Sequence, residues 1–302
     1  MGEVPTLAII TVCKDNPVDL KRTLSSISHQ TLSPRSHTVV DSSSGHARAQ
    51  IRKITESHGS KYLWMPPRGI YKAMLHGAKE LVGDEFVLFC NATDRLLSPF
   101  TLERLVREIQ RLATEHRSCD WMLGRTVVLD GKHAHTLRLA QSGKRAARDL
   151  ETGTSGLAHP SMLIRSGTLL DSGVFERPER VTLDYELALF MIRHCGPPRI
   201  LNLPVALYDQ FGESGSRAVN TYIQKLKARV QHLGRVSWVG EMNAIFFALL
   251  RSVARKLCGT PLFTGLAKYL SWEPYRPGGE DHFCDCTWQP QWPLCCEKVL
   301  LG

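Results

Sequence analysis

Apolar residues along this chain recur in two rhythms, short continuous runs and stripes at helical spacing, and their alternation predicts an α/β fold. Leu7 to Val12 is apolar and rich in β-branched residues, which predicts a first, central strand with Thr11 near its end. Asn16 and Pro17 then make a helix start, with Leu20, Leu24 and Ile27 on one face. His37 to Val40 reads as a second strand that ends at Asp41 and leaves by the polar loop SSSGH. Tyr62 to Met65 reads as a third, and Pro66 and Pro67 bar helix through the junction that follows.

The next stretch, RGIYKAMLHGAKELVGDEFVLFCNATDRL, organises the rest. Gly69 provides a turn that other residues resist, and Tyr71, Met74, Leu75 and Ala78 share one side of a short helix. Glu85 to Cys90 is a near-continuous apolar run, the signature of a strand buried on both faces of a mostly parallel sheet. It ends in the polar tip Asn91-Ala92-Thr93-Asp94. A lone Asp at a strand end is often a helix cap, but Ser98 and Pro99 already look like the N-cap and first residue of the next helix, with Leu102, Leu105, Val106, Ile109 and Leu112 on its buried face to about Glu115. Ligands of open α/β sheets bind beyond the carboxyl ends of the strands, so Asp94 stands where a divalent cation and a diphosphate could be held.

Trp121 to Leu129 predicts another strand, and Asp130-Gly131 a hairpin towards His135 to Leu139. Gln141 to Gly156, with Lys144, Arg145 and Arg148, reads as an exposed connection or a substrate loop. His159 opens a further short strand, Asp184 begins a helix, and Arg199 to Leu207 reads as a last strand interrupted by Pro204.

Composition changes the picture modestly. The chain has 302 residues, 43% of them apolar, enough for one large core with a smaller appendage. The first residues lack the basic start of a secretory signal, and nine scattered cysteines, with Cys13 and Cys90 inside apolar runs, point to a reducing compartment rather than a disulfide framework. The formal net charge of +9 is concentrated after Asn220, where Glu241 is the lone acid as far as Leu257. No nucleic-acid motif accompanies the charge, so a phosphate-bearing substrate or an anionic membrane surface is the preferred partner. Trp238 to Leu257 carries a broad apolar stripe ending in Arg251, Arg255 and Lys256, which suits an interfacial helix or one packed on its own domain better than a membrane span. The tail holds His282, Cys284, Cys286, Cys295 and Cys296 at spacings unlike a standard zinc site, and reads as irregular.

The organising stretch resembles the central motif of family 2 glycosyltransferases, particularly the polysaccharide-biosynthesis branch of colanic acid and O-antigen type. Gly69, Ile70, Tyr71, Ala73, Met74 and Gly77 match its Gly-Ile-Tyr helix, and Asn91 and Asp94 its strand tip. A second match, DSGVFERPERVTLDYEL, places Gly173, Phe175, Asp184, Tyr185, Glu186 and Leu187 in register with the family's acceptor segment. Three departures stand out: Arg68 where an Asp is usual, Lys72 for the Asp after the Tyr, and Leu75-His76 for Asn-Lys.

The resemblance covers about residues 6 to 218. It implies a GT-A fold, a twisted, mostly parallel sheet flanked by helices, with a nucleotide-sugar half to about 130, an acceptor half from 131 to 218, a basic helical extension over 219–271 and the tail over 272–302. It also implies an inverting glycosyltransferase acting on a glycan or lipid-linked acceptor, cytoplasmic or peripheral on the inner face of a membrane. In that reading Thr11, Asp41, Arg68 and Tyr71 contact the nucleotide sugar and Asp94 holds Mn²⁺ or Mg²⁺. Asp184 is the general base, with Glu186 in reserve, and His159 lines the acceptor site. The loop Phe211 to Ser216 would close over the diphosphate. The single carboxylate at the tip leaves one alternative, a non-catalytic nucleotide-sugar-binding homologue that acts as an assembly partner.

Overall fold

The structure, a computed structural model of the chain, describes residues 6–83, 85–130, 133–137, 142–153, 157, 159–178, 182–209, 218–234, 236, 241–242, 245 and 272–274. Four strands form its parallel part: β1 (Leu7–Cys13), β2 (Ser36–Asp41), β3 (Lys61–Trp64) and β4 (Phe86–Phe89), in the order β4-β1-β2-β3. Helices α1 (Pro17–Ser28), α2 (Gly45–Ser57) and α3 (Ile70–Ala78) connect them. Every residue of β1 is buried, and its side chains alternate between two cores. Leu7 and Ile9 join Phe86, Leu88 and Leu105, whereas Ile10 and Val12 join Tyr71, Phe89 and Phe175.

Local chemistry explains most boundaries. Asn16 caps α1 by accepting from the Asp19 amide at 3.2 Å, and Leu20, Leu24 and Ile27 are buried as their spacing predicts. Helix α2 escaped the sequence reading because its buried positions are only Ile51 and Thr55. The helix expected from Pro99 starts at Thr101 as α4 (Thr101–Thr114), because Ser98 and Thr101 satisfy each other's turn: Ser98 Oγ accepts from Phe100 N at 3.2 Å and Thr101 Oγ1 from Ser98 N at 3.1 Å.

Two glycines set α3 against the sheet. Gly69 has φ 99° and ψ 159°, a region open essentially to glycine alone, and it turns the chain from the two prolines into the helix. Gly77 faces the sheet so closely that a Cβ there would meet Ile10 Cγ2 at 2.8 Å and Val40 Cγ2 at 3.0 Å. Replacing Gly77 by Ala is therefore expected to overpack this interface and destabilise the protein by about 1–3 kcal/mol, read as a lower midpoint in urea. An unchanged midpoint would show that α3 can ride up without cost.

Beyond β4 the sheet is mixed. Strands β5 (Arg95–Leu96), β6 (Trp121–Asp130), β7 (His133–Leu137), β8 (Met162–Arg165), β9 (Arg199–Asp209) and β10 (Trp272–Pro274) extend it to ten strands among the described residues. Strand β8, antiparallel to both β4 and β6, continues the sheet past β4, and β6 and β7 pair antiparallel with Asp130 opposite His133. Pro204 stands opposite Arg125, where the β6–β9 register shifts on either side, consistent with a residue that cannot donate to the ladder. The polar stretch expected as a connection contains α5 (Gly143–Glu151), capped by Ser142 and buried through Ala146, Ala147 and Leu150. Small α6 (Ser166–Asp171), α7 (Leu183–His194) and α8 (Ala218–Leu233) complete the fold.

The loop from 211 to 216, most of the stripe from 238 to 257 and the cysteine-containing tail lie outside the described residues. Among the described residues, no helix is long and apolar enough to cross a membrane.

Candidate active site

Because β4, β1, β2 and β3 are parallel, their carboxyl ends share one edge. Cys13, Asp41 and Trp64 are register neighbours at that edge, and the tip from Asn91 to Asp94 follows β4. The tip is a closed turn: Asp94 N donates to Asn91 O at 2.8 Å, and Asp94 Oδ2 accepts from Asn91 N at 3.1 Å. Thr23 of α1 ties it down by donating its hydroxyl to Asp94 O at 2.7 Å. The Asp94 side chain is 1% exposed.

His159 spans the gap between this tip and the first turn of α7. Its Nε2 accepts from Asn91 Nδ2 at 2.6 Å and lies 3.7 Å from Asp94 Oδ2, while its Nδ1 lies 4.0 Å from Asp184 Oδ2. With the Asn91 amide nitrogen facing the ring, Nε2 is the acceptor, and that orientation assigns the ring proton to Nδ1, on the side of Asp184. Burial pushes the imidazole pKa below its ordinary value and keeps the ring neutral, with the Asp184 carboxylate opposing that shift. Asp184 is in the first turn of α7, and its Oδ1 accepts from Tyr185 N at 2.8 Å, leaving Oδ2 towards the histidine. Glu186 points elsewhere: it is wholly buried and pairs with Arg177 at 3.0 Å.

At the end of β2, Asp41 anchors the loop that follows. Its Oδ1 accepts from Ser43 N at 2.8 Å and its Oδ2 from the Tyr62 hydroxyl at 2.8 Å, so the carboxylate shapes the following loop as an Asx turn does. Trp64 Nε1 donates to Ser43 O at 2.9 Å, and the Arg48 guanidinium lies 4.2 Å from the Trp64 ring centroid. Sequence reasoning passed over Arg48 and Trp64, although a tryptophan ending a short strand beside Asp41 was a usable signal. Cys13, at the same edge, is no nucleophile: burial pushes its thiol up to about 12.

Two expected contacts are not at this edge. Thr11 is fully buried two residues short of the end of β1, with its hydroxyl on His37 Nε2 at 3.0 Å. Tyr71 is 5% exposed, and its ring packs against Phe175 with centroids 5.0 Å apart, the core role its helical spacing gives it. Arg68 is exposed between β3 and α3. Lys72, one of the departures from the family motif, has a structural task and donates to the Glu176 carbonyl at 2.5 Å.

Four parallel strands, a mixed continuation beyond β4 and polar residues converging at the carboxyl edge define a GT-A glycosyltransferase fold. The family model for glycosyl transferase family 2 matches residues 8–169, more than half of the chain, and the protein belongs to that family. No curated protein sequence matches it. Among solved structures, S. aureus TarS 1–349 in complex with UDP-GlcNAc is similar at 16% identity and a TM-score of 0.56, over 86% of this chain and 77% of that one. The mannosyltransferase PcManGT from Pyrobaculum calidifontis, in complex with GDP-Man and Mn²⁺, is similar at 16% identity and a TM-score of 0.50, over 88% and 79%. Glucosyl-3-phosphoglycerate synthase from Mycobacterium tuberculosis, in complex with Mn²⁺, UDP and glucosyl-3-phosphoglycerate, is similar at 14% identity and a TM-score of 0.50, over 74% and 80%. At these identities the likeness is one of fold.

Proposed function

We infer that this chain is an inverting glycosyltransferase that moves a sugar from a nucleoside diphosphate donor to a hydroxyl of a glycan or lipid-linked acceptor in polysaccharide biosynthesis. One observation carries the reading: two carboxylates, Asp94 and Asp184, lie on opposite sides of one neutral imidazole, His159. The relatives bound to UDP-GlcNAc and GDP-Man support the class of donor.

The tip suits a hard divalent cation. Asn91 Oδ1 is buried without a hydrogen-bond partner among the described residues, beside the Asp94 carboxylate, and an amide oxygen plus one carboxylate is an ordinary partial ligand set for such ions. No group of three His, Cys, Asp or Glu that could hold a metal occurs among the described residues, so water and diphosphate oxygens would complete the shell. Asp94 and Asn91 would hold Mn²⁺ or Mg²⁺, and when bound the cation offsets charge developing on the leaving diphosphate.

The residues of the chain divide the remaining work. Asp184 accepts the proton of the acceptor hydroxyl as that oxygen attacks the anomeric carbon and the carbon–oxygen bond to the diphosphate breaks. His159, with Nδ1 4.0 Å from the Asp184 carboxylate, lines the acceptor site. Arg68, exposed at the edge, meets phosphate oxygens as a two-pronged donor. Asp41 sets the nucleoside end through Tyr62 and the Ser43 turn. The net charge of +9 supports association with the inner, anionic face of a membrane, where lipid-linked acceptors reside.

The test is stereochemical. Incubated with Mn²⁺ and a panel of UDP- and GDP-α-sugars, the protein should release the nucleoside diphosphate and, in proton NMR spectra taken before mutarotation, the β-anomer of the sugar. The α-anomer would refute inversion. The single carboxylate at the tip favours a second reading, a non-catalytic nucleotide-sugar-binding assembly partner, which predicts binding of the same donors with no release at all.

A further inference from the structure

Helix α8 sends one arginine into the interior. Arg229 and Glu241 are 1% and 4% exposed at their side chains. Arg229 Nε donates to Glu241 Oε1 at 2.8 Å, and Nη2 donates to Oε2, a two-pronged pair. The remaining prong, Nη1, reaches the Tyr185 hydroxyl at 3.1 Å, and that hydroxyl donates in turn to the Leu150 carbonyl at the end of α5. Tyr222 on α8 donates to Glu241 as well, its hydroxyl lying 2.9 Å from the Glu241 carbonyl oxygen. Gly153, with φ +71°, makes room for the guanidinium, since a Cβ there would meet Nη1 at 2.5 Å.

Stability alone is a poor reason for such a pair. Removing two charges from water costs several kcal/mol per ion, and an apolar pair of the same volume is commonly as stable. What the fork supplies is direction. Tyr185 is 1% exposed and is the residue after Asp184, so whatever fixes its hydroxyl fixes the first turn of α7. The same turn meets α8 twice more: Thr182 Oγ1 lies 3.5 Å from Gln224 Oε1, and Lys225 Nζ lies 5.1 Å from the Tyr185 ring centroid.

We propose that the buried Arg229–Glu241 pair, acting through the Tyr185 hydroxyl, is a positioning device that aims the Asp184 carboxylate at the acceptor site. The idea rests on the reading of Asp184 as general base. It also makes α8 and Glu241 part of the catalytic unit rather than an appendage.

The experiment uses the full chain with Arg229→Met, Arg229→Lys and Tyr185→Phe. In hydrogen–deuterium exchange, protection of amides 182–188 should fall about tenfold in Arg229→Met and Tyr185→Phe, while amides of β1 and β4 keep wild-type protection. Arg229→Lys, which retains one charged bond to Glu241, should recover part of the loss. On the UDP- or GDP-sugar that the wild type cleaves fastest with Mn²⁺, kcat should fall about tenfold at unchanged donor KM, because a slightly misdirected base impairs the step and not binding. Unchanged protection at 182–188 overturns the proposal, and so does an equal loss across the sheet, which is the mark of a merely stabilising pair. Tyr185→Phe decides the matter if Arg229→Met does not fold. Asp184→Asn separates the two ideas. If it is fully active the general-base reading fails by itself, while the exchange result, independent of turnover, still decides whether the pair holds the turn.

Discussion

Asp184→Asn is expected to lower kcat for sugar transfer by about 10²–10⁴-fold, the contribution of a positioned general base, with donor KM nearly unchanged. The substitution is close to isosteric, and its amide oxygen can still accept from Tyr185 N, the bond that Asp184 Oδ1 makes now. The first turn of α7 should therefore stay in place, and the melting temperature should move little. What is lost is the basic oxygen facing His159 Nδ1 at 4.0 Å. Steady-state release of nucleoside diphosphate, with the donor titrated, measures both constants. Activity equal to the wild type would remove Asp184 from the chemistry, and Glu186 would not inherit the role, because it is buried against Arg177.

The second large effect concerns the tip. With a UDP- or GDP-sugar at a hundredfold its Kd and Mn²⁺ present, binding linkage gives about 2.7 kcal/mol, which for a protein of this size is a rise of roughly 4 °C in melting temperature. Asp94→Ala and Asp94→Asn should both abolish the Mn²⁺-dependent part of that rise. The pair of variants matters because Asp94 has a structural duty, accepting from Asn91 N at 3.1 Å. Asn keeps an acceptor for that bond and Ala does not, so the Ala variant alone should also melt lower without ligand. A Mn²⁺-dependent rise that survives in Asp94→Asn would move the cation away from this residue. No rise with any donor, in folded wild-type protein, would leave the site without a nucleotide.

The elements with strong apolar rhythm were legible one by one. Leu7 to Val12, the helix behind Asn16 and the run from Glu85 to Cys90 bury what their spacing marks for burial, and so does the helix of Leu102 to Leu112 except at Val106, which is half-buried. Helices α2 and α5 were not legible for the converse reason. Their buried faces are small, Ile51 and Thr55 in one, Ala146, Ala147 and Leu150 in the other, so polar residues dominate the local pattern.

By itself the sequence determined the class of fold, the position of the polar tip after a buried strand and membership of a glycosyltransferase family, because these depend on periodicity and on residues adjacent in the chain. Only the tertiary structure decided which candidates meet. Asn91 and His159 are 68 residues apart yet touch at 2.6 Å, because antiparallel β8 returns beside β4 and delivers the residues that precede it to the strand tip. The same packing sent Thr11 and Tyr71 into the interior, one to His37 and the other to Phe175, although each stands in a stretch with functional precedent. Which way a side chain on a buried strand or helix points is set by the neighbour it must pack or bond with, and that neighbour is distant in sequence.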